Sequence, residues 1–528
     1  MSSVSRREFL NDAGCGALAL LAGSAMLSRS SFAGEAKPAK RRPNILLAIS
    51  DDQSWAHTGV SGCKTVNTPA FDRIAREGVL FTNAIVAAPQ CSPDRASLLT
   101  GRHIWQNEEA GTHASSFPRK LIVYPDLLEA AGYFVGNTGK PWGPGNWEVS
   151  GWPRNPAGPA FNKRSLKQQP AKGINNDDYA ANFKDFLDQR PKDKPFCFWY
   201  GGKEPHREYD KGIGLKSGKK LDDVVVPPFL PDDPEIRSDI LDYCFEIDWF
   251  DNHLGQMLRL LEEAGELDNT IVVVTSDNGM SFPNSKANLR EYGIHMPLAI
   301  RWPAGMTGGR VVDDLISFVD FAPTFLEAAG LTVPATMTGR SFLDVLTSGK
   351  SGRVAPSRDK ALVGRERHTH ARPDNVGYPA RAIRTHDYLF VLNLKPERWP
   401  AGDPEGYYDI DGSPSKTFMM KNRTSDQVAR LFQLAFEKRP AEELFEVKKD
   451  PGCLNNLAGV AEYAAVKQKL RAELERTLTE QKDPRILGTG DIFDSYPRYS
   501  AMREEFEGFK EQGQYNPKFQ PKGNEPRQ

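Results

Sequence analysis

Two residues that could act together in chemistry, Cys91 and Arg95, lie four positions apart. Ser92 and Pro93 are typical of the N-cap and first position of a helix, and Gly101 is typical of its C-terminal end. Backbone N–H groups at a helix start favour an anion, and Arg95 can direct its guanidinium toward the same point. The pattern predicts a cysteine and an arginine beside an anion site. A buried structural cysteine is the alternative interpretation.

Acidic and amide side chains follow two short apolar runs. Asp51 and Asp52 come soon after the run at 44–49, and Asp277 and Asn278 soon after the run at 270–275. Ligands in open α/β sheets gather beyond the carboxyl ends of the strands. Such an all-oxygen set suits a hard cation such as calcium, although an Asp pair after a strand is also typical of a turn or a helix cap.

The elements that must position these residues follow an alternating pattern. Apolar runs at 44–49, 195–200, 270–275 and 297–302 are typical of buried parallel strands. Apolar residues every three or four positions over 240–261 predict one long amphipathic helix between two of these strands. Strands that alternate with helices predict a doubly wound α/β sheet covered on both faces.

The character of the chain changes twice along its length. Short amphipathic strands from 379 onward, followed by a helix over 461–481, predict a smaller α+β unit. We therefore predict an N-terminal α/β domain over 43–378 and a C-terminal α+β subdomain over 379–493. The polar residues 494–528, which are poor in aliphatic side chains, are interpreted as a loosely attached tail.

The N-terminus has the pattern of an export signal. Arg6-Arg7 precede a run of small and apolar residues at 13–27. Ala33 ends a short segment that is typical of a cleavage site. Residues 1–33 are therefore predicted to be a twin-arginine signal, which implies a periplasmic or extracellular protein. A charged helix of the fold is the alternative. No apolar run approaches the roughly 20 residues that span a bilayer, so no transmembrane segment is predicted.

Overall charge and cysteine content exclude several classes of protein. The 68 basic and 69 acidic residues give a formal net charge of −1, so no global positive field exists and nucleic acid is not an expected partner. Any anionic ligand must therefore be met by local positive groups. After the predicted signal the cysteines are odd in number, which leaves one thiol over, and no Cys-x-x-Cys pair indicates zinc.

The string Cys-x-Pro-x-Arg followed by five residues and glycine, which starts at Cys91, resembles the signature of the type I sulfatases. In that family a maturation enzyme reads Cys-x-Pro-x-Arg and oxidises the cysteine to formylglycine. The resemblance extends over nearly the whole mature chain. It implies the alkaline-phosphatase-like sulfatase fold, with a mixed doubly wound sheet and a smaller C-terminal α+β domain. It also implies Ca²⁺ and formylglycine as cofactors.

The resemblance implies roles for particular residues. The metal ligands are matched by Asp51, Asp52, Asp277 and Asn278, joined by the modified Cys91. Arg95 matches the arginine that steadies the hydrated aldehyde, and Lys140 matches the lysine that holds the sulfate. His206 matches the histidine that protonates the leaving group, and Lys286 matches a further basic residue at the sulfate.

Within the family the chain is most similar to the N-sulfoglucosamine sulfohydrolases, the heparan N-sulfatases. Shared features are Gln106-Asn107, Pro205-His206-Arg207 and the stretch 277–289. The chain departs from the family pattern Gly-Lys-x-His, because Trp142 stands at the position of the histidine. Tryptophan cannot shuttle a proton at neutral pH.

These observations predict an exported, calcium-dependent sulfatase that acts on a sulfated saccharide. The narrower hypothesis is removal of the N-sulfate of glucosamine in heparan-type glycans. The alternatives are an O-sulfatase on another sulfated polysaccharide, a phosphodiesterase or phosphonate hydrolase of the same superfamily, and a non-catalytic sulfoglycan-binding protein. The expected partners are the saccharide and a formylglycine-generating maturation enzyme, and a homodimer is one open alternative for the oligomeric state.

Overall fold

The structure is a computed structural model that describes residues 41–500 and 502–503. The predicted export signal at 1–33 lies outside the described residues, as does most of the predicted tail. Among the described residues, no helix combines the length and apolar character needed to cross a membrane.

A mixed eight-stranded sheet forms the centre of the fold. Its strands are β1 (Asn44–Ser50), β2 (Val79–Ile85), β3 (Phe134–Gly139), β4 (Phe196–Gly201), β5 (Thr270–Ser276), β6 (His295–Arg301), β7 (Arg310–Val312) and β8 (Ile316–Ser317). Their order is β3-β4-β1-β5-β6-β2-β7, and β8 also pairs with β2. The strands β3, β4, β1 and β5 are parallel, whereas β6 is antiparallel to both its neighbours. Strands are confirmed in all four predicted apolar runs, but the expectation that all four are parallel is wrong for β6, in the run at 297–302.

Helices cover both faces of this sheet. The helices along the chain are α1 (Pro69–Glu77), α2 (Cys91–Thr100), α3 (Tyr124–Ala130), α4 (Tyr179–Gln189), α5 (Ile213–Lys216), α6 (Pro234–Glu263), α7 (Glu291–Ile294), α8 (Phe321–Ala328), α9 (Leu343–Thr347), α10 (Pro414–Lys421), α11 (Ala429–Phe436), α12 (Ala464–Glu480) and α13 (Ile492–Ser495). The predicted long amphipathic helix is α6, whose apolar stripe is buried.

Strand β1 shows why both faces need covering. Its side chains alternate between two cores, because successive residues of a strand point to opposite faces. Leu47 joins the core that contains Leu99 of α2, whereas Leu46 joins the core that contains Phe71 of α1 and Leu254 of α6. A strand buried on both faces is continuously apolar, which is why the sequence of β1 is recognisable.

A second, antiparallel sheet has the order β12-β11-β10-β9. Its strands are β9 (Lys360–Arg365), β10 (Ala380–Thr385), β11 (Tyr388–Asn393) and β12 (Glu442–Glu446). One face packs against α12 through Leu474 and Phe390, and the other face joins the larger core through Leu389. The smaller C-terminal sheet is therefore confirmed. Its first strand, β9, precedes residue 379, at which the sequence places the start of the C-terminal subdomain.

Candidate active site

The carboxyl ends of β1, β3, β4 and β5 meet at one edge of the large sheet and carry most of the predicted site residues. Asp51 and Asp52 follow β1, Lys140 follows β3, and Asp277 follows β5. Helix α2 brings Cys91 and Arg95 to the same edge. Hydrogen bonds and ion pairs connect all nine predicted residues: Asp51, Asp52, Cys91, Arg95, Lys140, His206, Asp277, Asn278 and Lys286.

Three buried carboxylates and the Cys91 sulfur form the centre of the site. One ligand atom from each of Asp51, Asp52, Cys91 and Asp277 lies within 4.8 Å of the others. Asn278 donates a hydrogen bond from Nδ2 to Asp52 over 2.6 Å, but its buried Oδ1 accepts none from the described residues. A buried polar atom that lacks a partner is costly, so these oxygens are suited to hold a hard cation.

The charges of the carboxylates support the same conclusion. Burial raises the pKa of Asp52 to about 6 despite the nearby Lys286, and it raises the pKa of Asp277 to about 6 despite Arg95. Burial also acts on Asp51, but there the charges of Lys140, His206 and Arg95 outweigh it and lower the pKa. Two of the three carboxyl groups therefore resist ionisation in the absence of a cation, because burial disfavours their charged forms and the charge of Asp51 adds to that effect.

Cys91 is the first residue of α2 and is almost completely buried. Its Sγ donates to Oδ1 of Asp51 over 3.3 Å. Burial and the charge of Asp51 raise the pKa of the Cys91 thiol well above its usual value. Reactive cysteines require the opposite, a lowered pKa. The unmodified thiol is therefore poorly suited to act as a nucleophile.

The predicted start of this helix was wrong by two residues. The N-cap is Gln90 rather than Ser92, and Pro93 lies at the third helical position. The Ser92 hydroxyl is used elsewhere, because it accepts a hydrogen bond from the backbone of Ala114 over 3.1 Å. The predicted C-terminal end is confirmed, since Gly101 adopts a left-handed conformation with φ 62°.

Arg95 links the acidic cluster to the loop after β3. Its Nε donates to Oδ2 of Asp277 over 2.7 Å, and its Nη1 donates to the carbonyl oxygens of Lys140 and Pro141. Its buried Nη2 has no hydrogen-bond acceptor among the described residues. Arg95 therefore fixes the Asp277 carboxylate relative to the loop at Lys140 and Pro141. Its Nη2 remains free to donate a hydrogen bond.

Lys140 and Lys286 bring positive charge to two sides of the acids. Lys140 pairs with Asp51, and Lys286 pairs with Asp52 over 2.8 Å. Gly139, with φ 78°, makes the turn before Lys140, and a Cβ there would lie 2.0 Å from the carbonyl oxygen of Gly201. Burial lowers the pKa of both lysines, but the neighbouring carboxylates outweigh it and raise both values. Both lysines are therefore cationic at neutral pH.

His206 lies between the acids and Lys286. Its Nδ1 donates to the carbonyl oxygen of Arg207 over 2.7 Å, which leaves Nε2 to accept from Nζ of Lys286 over 3.1 Å. Burial and the charge of Lys286 lower the pKa of His206 to about 4. In the absence of substrate the imidazole is therefore neutral, with Nε2 facing the basic side of the site.

Asp411 is a site residue that the sequence analysis missed. Its Oδ2 lies 3.1 Å from Nζ of Lys286. The loop that carries it is anchored by Asp409, which is buried and pairs with Arg372 over 2.6 Å and with Arg365 over 3.1 Å. Asp411 lies far along the chain from the other residues and outside any motif, so no sequence signal could have identified it.

Trp142 has a structural role at the position where the family pattern has histidine. Its Nε1 donates to the carbonyl oxygen of Ser92 over 3.0 Å, and its ring packs edge-on against Phe117 with centroids 5.0 Å apart. The buried indole therefore supports the first turn of α2, which carries Cys91.

Comparison with known proteins identifies the class to which this fold and site belong. The family described as Sulfatase matches residues 43–331, and a family described as N-sulphoglucosamine sulphohydrolase, C-terminal, matches residues 284–399. The fold is the alkaline-phosphatase-like sulfatase fold, as the sequence predicts. The chain belongs to the sulfatase family, and the protein is a sulfatase.

Named relatives span most of the chain. Human N-sulphoglucosamine sulphohydrolase is 28% identical, over 86% of this chain and 94% of the relative. The N-acetylglucosamine-6-O-sulfatase of Bacteroides thetaiotaomicron is 26% identical, over 88% of this chain and 91% of the relative. A solved structure in complex with its substrate, D-glucosamine-2-N,6-O-disulfate, superposes with a TM-score of 0.61 and 23% identity, covering 84% of this chain and 99% of that one.

Proposed function

We propose that this protein is an exported, calcium-dependent sulfatase that uses formylglycine derived from Cys91. The observation that carries the proposal is the buried cluster of three carboxylates and the unpartnered Asn278 Oδ1 around Cys91. Calcium fits this set because it prefers oxygen ligands, whereas a thiol is a poor ligand for a hard cation. When bound, calcium stabilises developing negative charge, and formylglycine supplies oxygen atoms in place of sulfur.

The basic residues are suited to hold a sulfate group against this centre. Lys140, Lys286 and the free Nη2 of Arg95 lie beside the same acids and carry positive charge or donors. Preorganised charges of this kind usually provide the largest stabilisation of a transition state. The role proposed for these residues is therefore to bind and orient the sulfuryl oxygens.

His206 is proposed to take up a proton at Nε2 when an anionic sulfate group binds, because that negative charge offsets Lys286 and raises the pKa of His206, and then to pass the proton to the leaving group. Its Nε2 faces Lys286, which in turn faces the carboxylates. An amine is a poor leaving group unless it is protonated, so removal of an N-sulfate depends on an acid at this position.

The narrower substrate proposed is an N-sulfated glucosamine. Asp411 places a carboxylate beside Lys286, and its charge acts on His206. When an N-sulfate is hydrolysed, the leaving group is the sugar amine. The nitrogen of that amine carries a positive charge when it is protonated, and a nearby carboxylate stabilises this charge. The alcohol released from an O-sulfate is neutral and gains nothing from this charge. The name of the human relative agrees with the proposal, whereas the bound D-glucosamine-2-N,6-O-disulfate carries both kinds of sulfate and the Bacteroides relative is named as a 6-O-sulfatase.

Asp411→Asn is expected to reduce N-desulfation selectively. Loss of one charge-assisted contact of about 1.5 kcal/mol corresponds to about a tenfold lower kcat for N-sulfoglucosamine. The rate with glucosamine 6-O-sulfate should stay unchanged, and sulfate release from both sugars is the measurement. Asp403→Asn, in the same loop, is the control. Equal losses on both sugars would show that Asp411 only holds Lys286, and no release from the N-sulfated sugar by the parent protein would refute the substrate.

His206→Ala is expected to lower the rate with N-sulfoglucosamine by roughly a hundredfold or more, the usual contribution of a general acid. Aryl sulfates should lose much less, because their leaving groups barely need a proton. Steady-state rates with both substrates provide the test. His386→Ala, in which the lost side chain bonds to the carbonyl of Asp313 away from the acids, should change neither rate. Equal losses on both substrates after His206→Ala would contradict the proton-donor role.

Calcium removal is expected to make stability depend on pH between about 4 and 6. In the metal-free fold the pKa values of Asp52 and Asp277 are about 6, against about 3.9 in an unfolded chain. The folded state then binds more protons in this interval, so the free energy of unfolding falls as pH rises from 4 to 6. The lowered pKa of Asp51 acts only at lower pH.

Bound calcium keeps both carboxylates ionised and removes this penalty, which is complete by about pH 7. Calcium should therefore raise Tm more at pH 7 than at pH 5. Thermal unfolding in EDTA and in calcium chloride at both pH values measures the difference. An equal calcium-induced shift at the two pH values would contradict the assignment of these carboxylates to the cation.

A further inference from the structure

A second concentration of positive charge lies outside the site described above. Helix α11 and strand β12 contribute to the walls of a cavity of about 680 Å³. The basic residues that line it are Arg290, Arg423, Arg430, Lys438 and Arg439. Its acidic residues are Glu437 and Glu443, so five cations and two carboxylates leave an excess of three positive charges. This excess is local, because the whole chain has a formal net charge of −1.

Little of this charge is neutralised by the described residues. Glu443 is already held by Arg290 over 2.7 Å and by Asn393 over 3.0 Å. Arg430 donates to neutral acceptors, the carbonyl of Leu454 and the side chain of Asn455. Within the described ranges, Arg290 is therefore the one of these five cations that forms an ion pair with a carboxylate.

Arg439 is a buried cation of the cavity that forms no ion pair within the described part of the chain. The residue is 8% exposed, and its Nη2 donates to the neutral Asn288 over 2.7 Å. Its buried Nε has no acceptor, and no carboxylate of the described chain forms an ion pair with it. Burial and the charge of Arg290 lower the pKa of Arg439 to about 10. Glu443 is shared with Arg290 and therefore offsets only part of the cost of burying this guanidinium, so an anion in the cavity would offset more of it.

The residues at the mouth of the cavity can complete an anion site. Arg423 and Lys438 are exposed, and neither forms an ion pair within the described part of the chain. Lys438 lies 5.2 Å from the centre of the Trp399 ring, which restricts the position of its side chain. A guanidinium offers a planar fork that matches a sulfate or carboxylate group, and an ammonium adds a point charge.

We propose that this cavity is a second anion-binding site, which takes a sulfate or carboxylate group with Arg439 in its wall and Arg423 and Lys438 at its mouth. The chemistry is shared by a sulfate substituent on a saccharide chain and by free inorganic sulfate. The site is separate from the acidic cluster but connected to it. Arg439 bonds to Asn288, whose Nδ2 donates to the carbonyl oxygen of Lys286 over 2.9 Å.

The test is a binding titration of the full chain carrying Cys91→Ala, so that no ligand is consumed. One arm uses a heparin-derived tetrasaccharide and the other uses sodium sulfate. The variant Arg423→Gln/Lys438→Gln changes two exposed side chains and leaves the fold intact. The control Arg164→Gln/Lys184→Gln removes two exposed cations near α4. Arg439→Gln is a third variant, and thermal unfolding measures whether this variant is still folded.

The Arg423→Gln/Lys438→Gln variant is expected to bind the tetrasaccharide about tenfold more weakly, whereas the control binds like the parent. Weaker sulfate binding as well would identify a site for the free ion, and an effect on the tetrasaccharide alone would identify a site for the chain. Unchanged affinity for both ligands, or equal losses in the control, would overturn the proposal. Binding is measured without turnover, so failure of the proposed catalytic function would leave this result unaffected.

Discussion

Cys91→Ala is expected to abolish hydrolysis of N-sulfate and O-sulfate groups, with a loss on the order of 10⁴-fold or more. The side chain at position 91 lies within the acidic cluster and next to Asp51. The charges of Lys140 and Lys286 also act on it. Under the proposed chemistry, alanine removes the only group there that can carry the reacting oxygen. Sulfate release from an aryl sulfate and from N-sulfoglucosamine is the measurement.

Another cysteine provides the control for this variant. Cys63 lies outside the acidic cluster, and its Sγ lies 3.3 Å from Oγ1 of Thr65. Cys63→Ala should therefore retain full activity. The calcium-induced rise in Tm should remain in Cys91→Ala, because the other proposed ligands are intact. Activity in Cys91→Ala above the level of a no-enzyme blank would contradict the account.

Asp277→Ala is expected to lose both calcium and activity. The carboxylate is fully buried, lies among the other proposed ligands and accepts from Nε of Arg95 over 2.7 Å. Its removal takes away one ligand and leaves a buried guanidinium with less compensation. Elemental analysis should find less than one calcium per chain, and the calcium-induced rise in Tm should disappear because that rise requires binding to the folded state.

Asp483 offers a matched control for this second prediction. It is also fully buried, and it accepts from Nε of Arg381 over 2.6 Å in a pair away from the acidic cluster. Asp483→Ala should destabilise the fold because the buried Arg381 then keeps Glu366 alone as its ion-pair partner among the described residues, yet it should keep the calcium-induced rise in Tm. A full complement of calcium in Asp277→Ala would refute the ligand assignment, whatever the activity of the variant.

Most of the site could be predicted from the sequence, because the carboxyl ends of adjacent parallel strands lie side by side. The strands β1 and β5 are buried on both faces, so their sequences are continuously apolar and their ends are easy to find. Both run in the same direction and pair directly, so the acids that follow them must meet. The arrangement of Asp51, Asp52 and Asp277 was predictable on these grounds alone.

Other features depend on contacts that no local pattern reveals. The Ser92 hydroxyl serves Ala114 instead of capping α2, because a loop more than twenty residues away reaches it. Asp411 approaches Lys286 through the anchoring of its loop by Asp409. The cations of the second cavity are distributed along the chain between 290 and 439, so the nearly neutral overall charge conceals them.

The central claim is that the residue at position 91 works as formylglycine. The most direct measurement is the mass of the tryptic peptide 77–95, which ends at Arg95, from protein produced together with a formylglycine-generating enzyme. The account predicts that active protein carries a peptide in which H₂S has been exchanged for one oxygen atom, and that activity rises with the modified fraction. Full hydrolytic activity in protein whose Cys91 is an unmodified thiol would contradict it.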